Sequence, residues 1–269
     1  MQSRVILVLF LVHFWGARGA HLCHDPPVVN VPSASQASAE NSSIVYLFAM
    51  TDGRCFRFEV RPDRPSASHP AGPAEAEWTH LSFHRCPGCP LDIAQHRHCP
   101  AALDLQAIAG AFRDLVSYEQ TRVEVTTPER TFVKQCDVQT GLRALMGLVM
   151  ATSGCPVLSK LKGLAHYHLP FATVEETTFR TVSLYLLRQY FVHRDGGIPD
   201  LVLRGLLDFY DQLQELNQAF GNRLRAASER DANLNAINSL FFLAAAVALS
   251  LEEQLETLRT TLLPHRSQL

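Results

Sequence analysis

The chain has 269 residues, enough at ~150 residues per domain for one or two domains with a real core. Hydrophobic residues make up 47% and charged residues 19%, with a mean hydropathy of +0.01, which excludes collagen-like, disordered and polytopic membrane classes. The formal net charge of -2 lacks the basic excess that phosphate neutralisation needs, so nucleic acid is not an expected partner.

The unusual counts are 7 Cys and 12 His, which point to metal or thiol chemistry. In chain order, residues 1–20 combine Arg4, an apolar run from Val5 to Trp15 and a small-residue stretch, the plan of a secretory signal peptide. That run is too short for a stable transmembrane span, and export is slightly favoured over a cytoplasmic location. Residues 21–43 are rich in Pro, Ser and Ala without hydrophobic periodicity and read as a linker; Asn41-Ser42-Ser43 has the form of a glycosylation acceptor.

Residues 44–135 read as a strand-rich α+β region. Ile44 to Phe48 and Cys55 to Val60 flank Asp52-Gly53, whose residues tolerate the positive backbone angles of a tight hairpin. Ala76 to Phe83 is expected as a third strand. Ala101 to Tyr118 carries Leu105, Ile108, Phe112 and Leu115 at helical spacing, and Thr121 to Lys134 reads as a second hairpin turning at Thr127 to Arg130.

Residues 136–269 read as a helical bundle. Asp137 is placed to cap a helix reaching about Ser153, and Thr173-Val174-Glu175-Glu176 is a capping box for a helix through His193. Pro199 and Asp200 are expected to open the next helix, with Leu206, Tyr210, Leu213, Leu216 and Phe220 in one stripe. Asp231 opens the last, whose segment from Ile237 to Leu251 is apolar nearly all round; at about 15 residues it reads as a buried helix rather than a span. The fold class is therefore α+β, a small antiparallel β-hairpin region followed by a mostly α-helical bundle.

The chemistry concentrates in Cys86-Pro87-Gly88-Cys89-Pro90 and His96-Arg97-His98-Cys99-Pro100. Two thiols separated by a Pro-Gly turn can face one ion, and a third follows with histidines beside it, which makes most of a tetrahedral shell. His84, His96, His98, Cys136 and Cys155 compete for the fourth place. Cys99-Pro100 and Cys155-Pro156 each put a thiol where a helix cap would be, so both gain from the backbone N–H groups and the helix dipole. Cys155 is the preferred fourth ligand and His98 the second choice; Cys55 and Cys136 read as small buried residues. Zinc is the expected metal. An iron-sulfur cluster is the alternative, disfavoured because the ferredoxin-type run of close cysteines is absent. In an exported chain the same thiols could instead form disulfides.

His166 and His168, with Glu175 and Glu176, offer a second, hydrolase-like metal constellation, but capping explains both carboxylates. The competing function class is thus a metal-dependent or thiol-redox enzyme, against a non-enzymatic binding or regulatory module built on a Cys-rich zinc site. The Cys-Pro steps at Cys89, Cys99 and Cys155, with His168-Leu169-Pro170-Phe171 before a Glu-Glu helix and Asp231-Ala232-Asn233-Leu234-Asn235-Ala236, resemble an uncharacterised bacterial family of unknown function over about Ile44 to Leu258. That resemblance implies no activity and transfers no site, and substrate and partner are left undefined.

Overall fold

The computed structural model describes residues 28–30, 43–64 and 75–263; the signal-like segment, Asn41 and most of the predicted linker lie outside them. The strands are β1 (Val28–Asn30), β2 (Ile44–Met50), β3 (Cys55–Val60), β4 (Gln120–Thr126) and β5 (Thr131–Asp137). β2 to β5 form an antiparallel sheet, and β1 lies parallel to β3 at its edge, in the order β1-β3-β2-β4-β5. The predicted linker therefore contains one short strand. Both hairpins form as expected: Ala49 pairs with Cys55 across the Asp52-Gly53 turn, where Gly53 has a φ of +91°, and Thr126 pairs with Thr131. Strict alternation buries Ile44, Tyr46, Phe48 and Met50 on one face of β2.

The helices are α1 (Pro100–Ala111), α2 (Val138–Thr152), α3 (Lys162–His166), α4 (Val174–Arg194), α5 (Arg204–Ala227), α6 (Ala232–Leu249) and α7 (Leu251–Leu262). The structure is α+β, with the helices following the sheet except for α1 between its two hairpins. α2 lies so close to the sheet that a Cβ on Gly141 would stand 2.7 Å from both Phe48 and Val123, which explains a glycine inside a helix despite its low helix propensity. Phe112, after α1, packs 5.0 Å from Phe48 and 5.7 Å from Phe58 between ring centroids, joining helix and sheet in one hydrophobic core.

Four sequence expectations change. Ala76 to Phe83 is no strand: Glu77–Thr79 is a 3-10 turn, and pairing is limited to a bridge between His80 and His98. α1 ends at Ala111, seven residues short of the predicted end. α5 begins at Arg204 rather than at Pro199, although Asp200 still accepts the Gly205 N–H at 2.8 Å. Finally, α6 ends at Leu249 and is less buried than predicted. At 18 residues it is long and apolar enough to cross a membrane by length and composition, and 33% of it is buried, one face against α2 and α5 while Phe242 and Leu249 are exposed.

Candidate functional site: a thiol cluster around a buried arginine

The 3-10 turn Glu77–Thr79 and the loop after it hold the first part of the site. The Cys99 N–H donates to the Thr79 carbonyl at 2.8 Å and the Leu81 N–H to the Arg97 carbonyl at 2.9 Å, so the loop closes on itself. His84, with a φ of +40°, turns the chain outward into Cys86-Pro87-Gly88-Cys89, and the Cys89 N–H closes that turn on the Cys86 carbonyl at 3.1 Å. Arg85 braces the turn by donating to the carbonyls of Cys89 and Leu91 at 3.0 and 2.7 Å.

Cys99 is the N-cap of α1 with Pro100 in the first turn, as the sequence suggested. The N–H groups of Ala101 and Ala102 pull its thiol toward ionisation without making a side-chain cap bond, yet burial outweighs them and pushes it up to about 11. Cys155 follows α2, but Pro156 leads into the 3-10 turn Leu158–Leu161 rather than an α-helix. Its thiol is also raised by burial, against the N–H groups of Leu158 and Val157.

These segments converge. Burial pushes Cys86 up to about 12, and the neighbouring Cys99, Cys155 and Cys89 raise it further. Cys99 is coupled to Cys155, and Cys155 to Cys89, so each of the four thiols lies within electrostatic reach of at least two others. None of the four is in a disulfide. Among the described residues no three His, Cys, Asp or Glu side chains are drawn into a metal-ligand shell, so these sulfurs are gathered rather than closed on a point.

Arg223 from α5 completes the site, and the sequence reading missed it. It is 1% exposed. Its Nη1 donates to the carbonyls of Trp78 and His80 at 2.7 Å each and its Nη2 to that of Leu81 at 3.2 Å, while Nε is buried with no hydrogen-bond partner. The acidic groups that favour its charge are Cys99, Cys86 and Cys89, and burial opposes them. A guanidinium is always charged, and a buried charge without a counter-charge is costly, so a negative partner is expected here and the thiols are in place to supply it.

His98, the second choice of ligand, is held through Nδ1, 2.9 Å from Thr79 Oγ1, while its buried Nε2 makes no hydrogen bond although Glu75 Oε2 lies 2.7 Å away. His84 and His96 are exposed. Cys136, on β5, answers to Asp137 and Lys134 and not to the cluster. Cys55 is half-buried and disulfide-bonded, which corrects its reading as a small core residue.

The second constellation does not assemble. His168 is turned inward, with Nε2 2.6 Å from the Tyr46 hydroxyl, and burial holds it at about 3, so it is neutral. His166 is exposed, its Nδ1 3.6 Å from Asp63. Glu176 accepts the Thr173 N–H at 2.8 Å in a complete capping box. Arg180 is no solvated partner of Glu176; it donates to the carbonyls of Leu164 and Tyr167 at 3.0 and 2.5 Å. Asp231 bonds Ser117 and Asn235 rather than capping α6.

A family model described as Domain of unknown function (DUF6901) matches residues 44–262. The chain belongs to this family. The DUF6901 region starts with β2 and ends with α7, so it takes in the whole thiol site and agrees with the resemblance to an uncharacterised family read from Ile44 to Leu258. No curated protein and no solved structure gives a significant match to the chain.

Proposed function

We propose that Cys86, Cys89, Cys99 and Cys155 bind one zinc ion as a four-thiolate site, and that the protein is a non-enzymatic module in which this ion ties the sheet-side loop to the start of the helical bundle. The observation that carries the reading is that four thiols from three separate segments act on one another, three of them also on one buried arginine. Ligation replaces the thiol protons with the metal, and the resulting negative charge beside Arg223 supplies its counter-charge. Closing the shell needs local movement, for which the Cys86-Pro87-Gly88-Cys89 turn, exposed at Pro87 and Gly88, has room: a Cβ on Gly88 would meet nothing within 4 Å. The two more buried thiols, Cys99 and Cys155, sit at the ends of secondary-structure elements and provide the fixed side.

An iron-sulfur cluster would use the same four residues and differs by its visible spectrum. A second reading, a disulfide within the cluster, draws on the disulfide-bonded state of Cys55, since structural disulfides belong to oxidising compartments. Elemental analysis with thiol counting on the full chain and on Cys86→Ser, Cys99→Ser, Cys155→Ser and Cys136→Ser separates them. Zinc binding gives one ion per chain in the wild type and in Cys136→Ser, and loss in the other three. A metal-free wild type with two fewer titratable thiols would favour the disulfide. Full metal retention in Cys86→Ser and Cys99→Ser would reject the four-thiolate site.

A further inference from the structure

A second site stands apart from the thiols, between α2, α3, α4, α5 and α6: a pocket of about 180 Å³. Its walls are mostly aliphatic, with Leu148 and Ala151 from α2, Leu213 from α5, and Leu240 and Ala244 from α6. Its polar groups are gathered as Arg143, His168, Thr177, Arg180, Tyr210 and Asn217, and no Asp or Glu lines it. Asp137 already acts on Arg143, so Arg180 is the cation that makes the pocket select for negative charge. The nearest carboxylate to act on Arg180 is Glu176, one turn earlier on α4, whose Oε2 is already taken by the Thr173 N–H.

The polar end is built to stay in place. Arg180 is pinned through Nη2 by the carbonyls of Leu164 and Tyr167, so Nη1 is left to donate a charge-assisted hydrogen bond to a ligand. The Tyr210 hydroxyl lies 2.9 Å from Thr181 Oγ1, and the His168 ring is fixed by Tyr46, neutral beside Arg180. Histidine and tyrosine therefore add dipoles but no charge, and Arg180 sets the sign. An apolar cavity of ~150 Å³ holds benzene, so this one accepts a molecule of similar girth with a small polar head.

We propose that this pocket binds a small apolar carboxylic acid of about benzoate size, with its carboxylate on Arg180 and its apolar body among the aliphatic walls. Benzoate and benzamide are near-isosteric probes that differ in charge. Calorimetric titration and thermal shift on the full chain should show benzoate binding roughly tenfold tighter than benzamide, the discrimination expected of a charge-assisted hydrogen bond. Arg180→Gln should erase that preference. Because Arg180 also supports two backbone carbonyls, Ala151→Leu serves as an independent variant: it fills the cavity without touching the arginine and should abolish binding of both probes. Equal affinity for benzoate and benzamide, no binding of benzoate at millimolar concentration, or undiminished binding to Ala151→Leu would each overturn the proposal.

Discussion

The two polar constellations of this chain behave in opposite ways. Cys86 and Cys155 are far apart in sequence and come within electrostatic reach, whereas His166 and His168 are separated by one residue and face different surroundings, one exposed beside Asp63 and one half-buried on Tyr46. What separates them is how each residue is held. Cys99 and Cys155 sit at the ends of packed elements, and Cys86 and Cys89 are held in a turn closed by the Cys89 N–H on the Cys86 carbonyl. His166 is the last residue of α3 and His168 lies beyond it, and the turn at Tyr167 (φ -102°, ψ 53°) between them sends the two rings in different directions. Residue type and proximity in sequence are therefore weaker guides to a site than anchorage.

The largest effect should come from Cys99→Ser. A structural zinc contributes binding energy directly to folding, so loss of one buried ligand should cost several kcal/mol, with on the order of ten degrees or more lost in thermal midpoint and metal content falling together. His98→Ala should leave the metal in place, since its ring is oriented by the Nδ1 contact to Thr79 and four thiols already fill a tetrahedral shell. Next is Arg223→Met. It removes three hydrogen bonds to carbonyls and the cation beside the thiols, and about 3 kcal/mol of stability together with weaker metal binding is expected from chemical unfolding and metal titration. Unchanged metal affinity in that variant would separate Arg223 from the thiols and make it a loop brace only.

The pH response should differ between the two constellations in sign as well as in range. In metal-free protein the raised Cys86 and Cys99 thiols stay protonated in the fold up to about 12 and about 11. An unfolded thiol ionises near pH ~8.5, so the unfolded chain holds fewer protons above that point and stability falls as pH rises through the alkaline range. Bound metal replaces those protons and should flatten this alkaline loss, while metal affinity should weaken as pH falls. His168 acts on the acid side. Its folded value of about 3 lies below the ~6.5 of the unfolded residue, so the unfolded chain binds the extra proton and stability is lost as pH falls between them. His168→Gln, which keeps a hydrogen-bonding group for Tyr46, should reduce that acid slope in urea unfolding at several pH values. The smallest effect belongs to Glu176→Gln: a cap change of at most about 1 kcal/mol, with no loss of metal.

Much of the fold is legible from local chemistry. Asp52-Gly53, the Thr173 to Glu176 capping box and the alternation in β2 each determine their element within a few residues, so their signal does not depend on the rest of the chain. Ala76 to Phe83 fails for the opposite reason: Trp78 and Leu81 look like strand residues, but they are buried by a 3-10 turn whose carbonyls are satisfied by Arg223, far away on α5. For the thiols, burial and not the helix dipole decides the direction in which the pKa values of Cys86, Cys99 and Cys155 move, which the Cys-Pro steps alone do not reveal. Arg223 did leave a signal. It continues the stripe of Leu213, Leu216 and Phe220, where a charged side chain on the buried face of a helix calls for a partner. The buried, bidentate Arg64–Asp104 pair shows the limit of such reading, because its arginine lies in a loop without periodicity.

Cobalt titration of metal-free protein tests the four-thiolate site most directly, since cobalt in zinc sites reports ligand type and geometry through its visible spectrum. One equivalent should saturate an intense sulfur-to-cobalt absorption with tetrahedral ligand-field bands, unchanged in His98→Ala and diminished in each of Cys86→Ser, Cys89→Ser, Cys99→Ser and Cys155→Ser. A weak octahedral spectrum in the wild type, or a tetrahedral one that survives Cys155→Ser and disappears in His98→Ala, would contradict it.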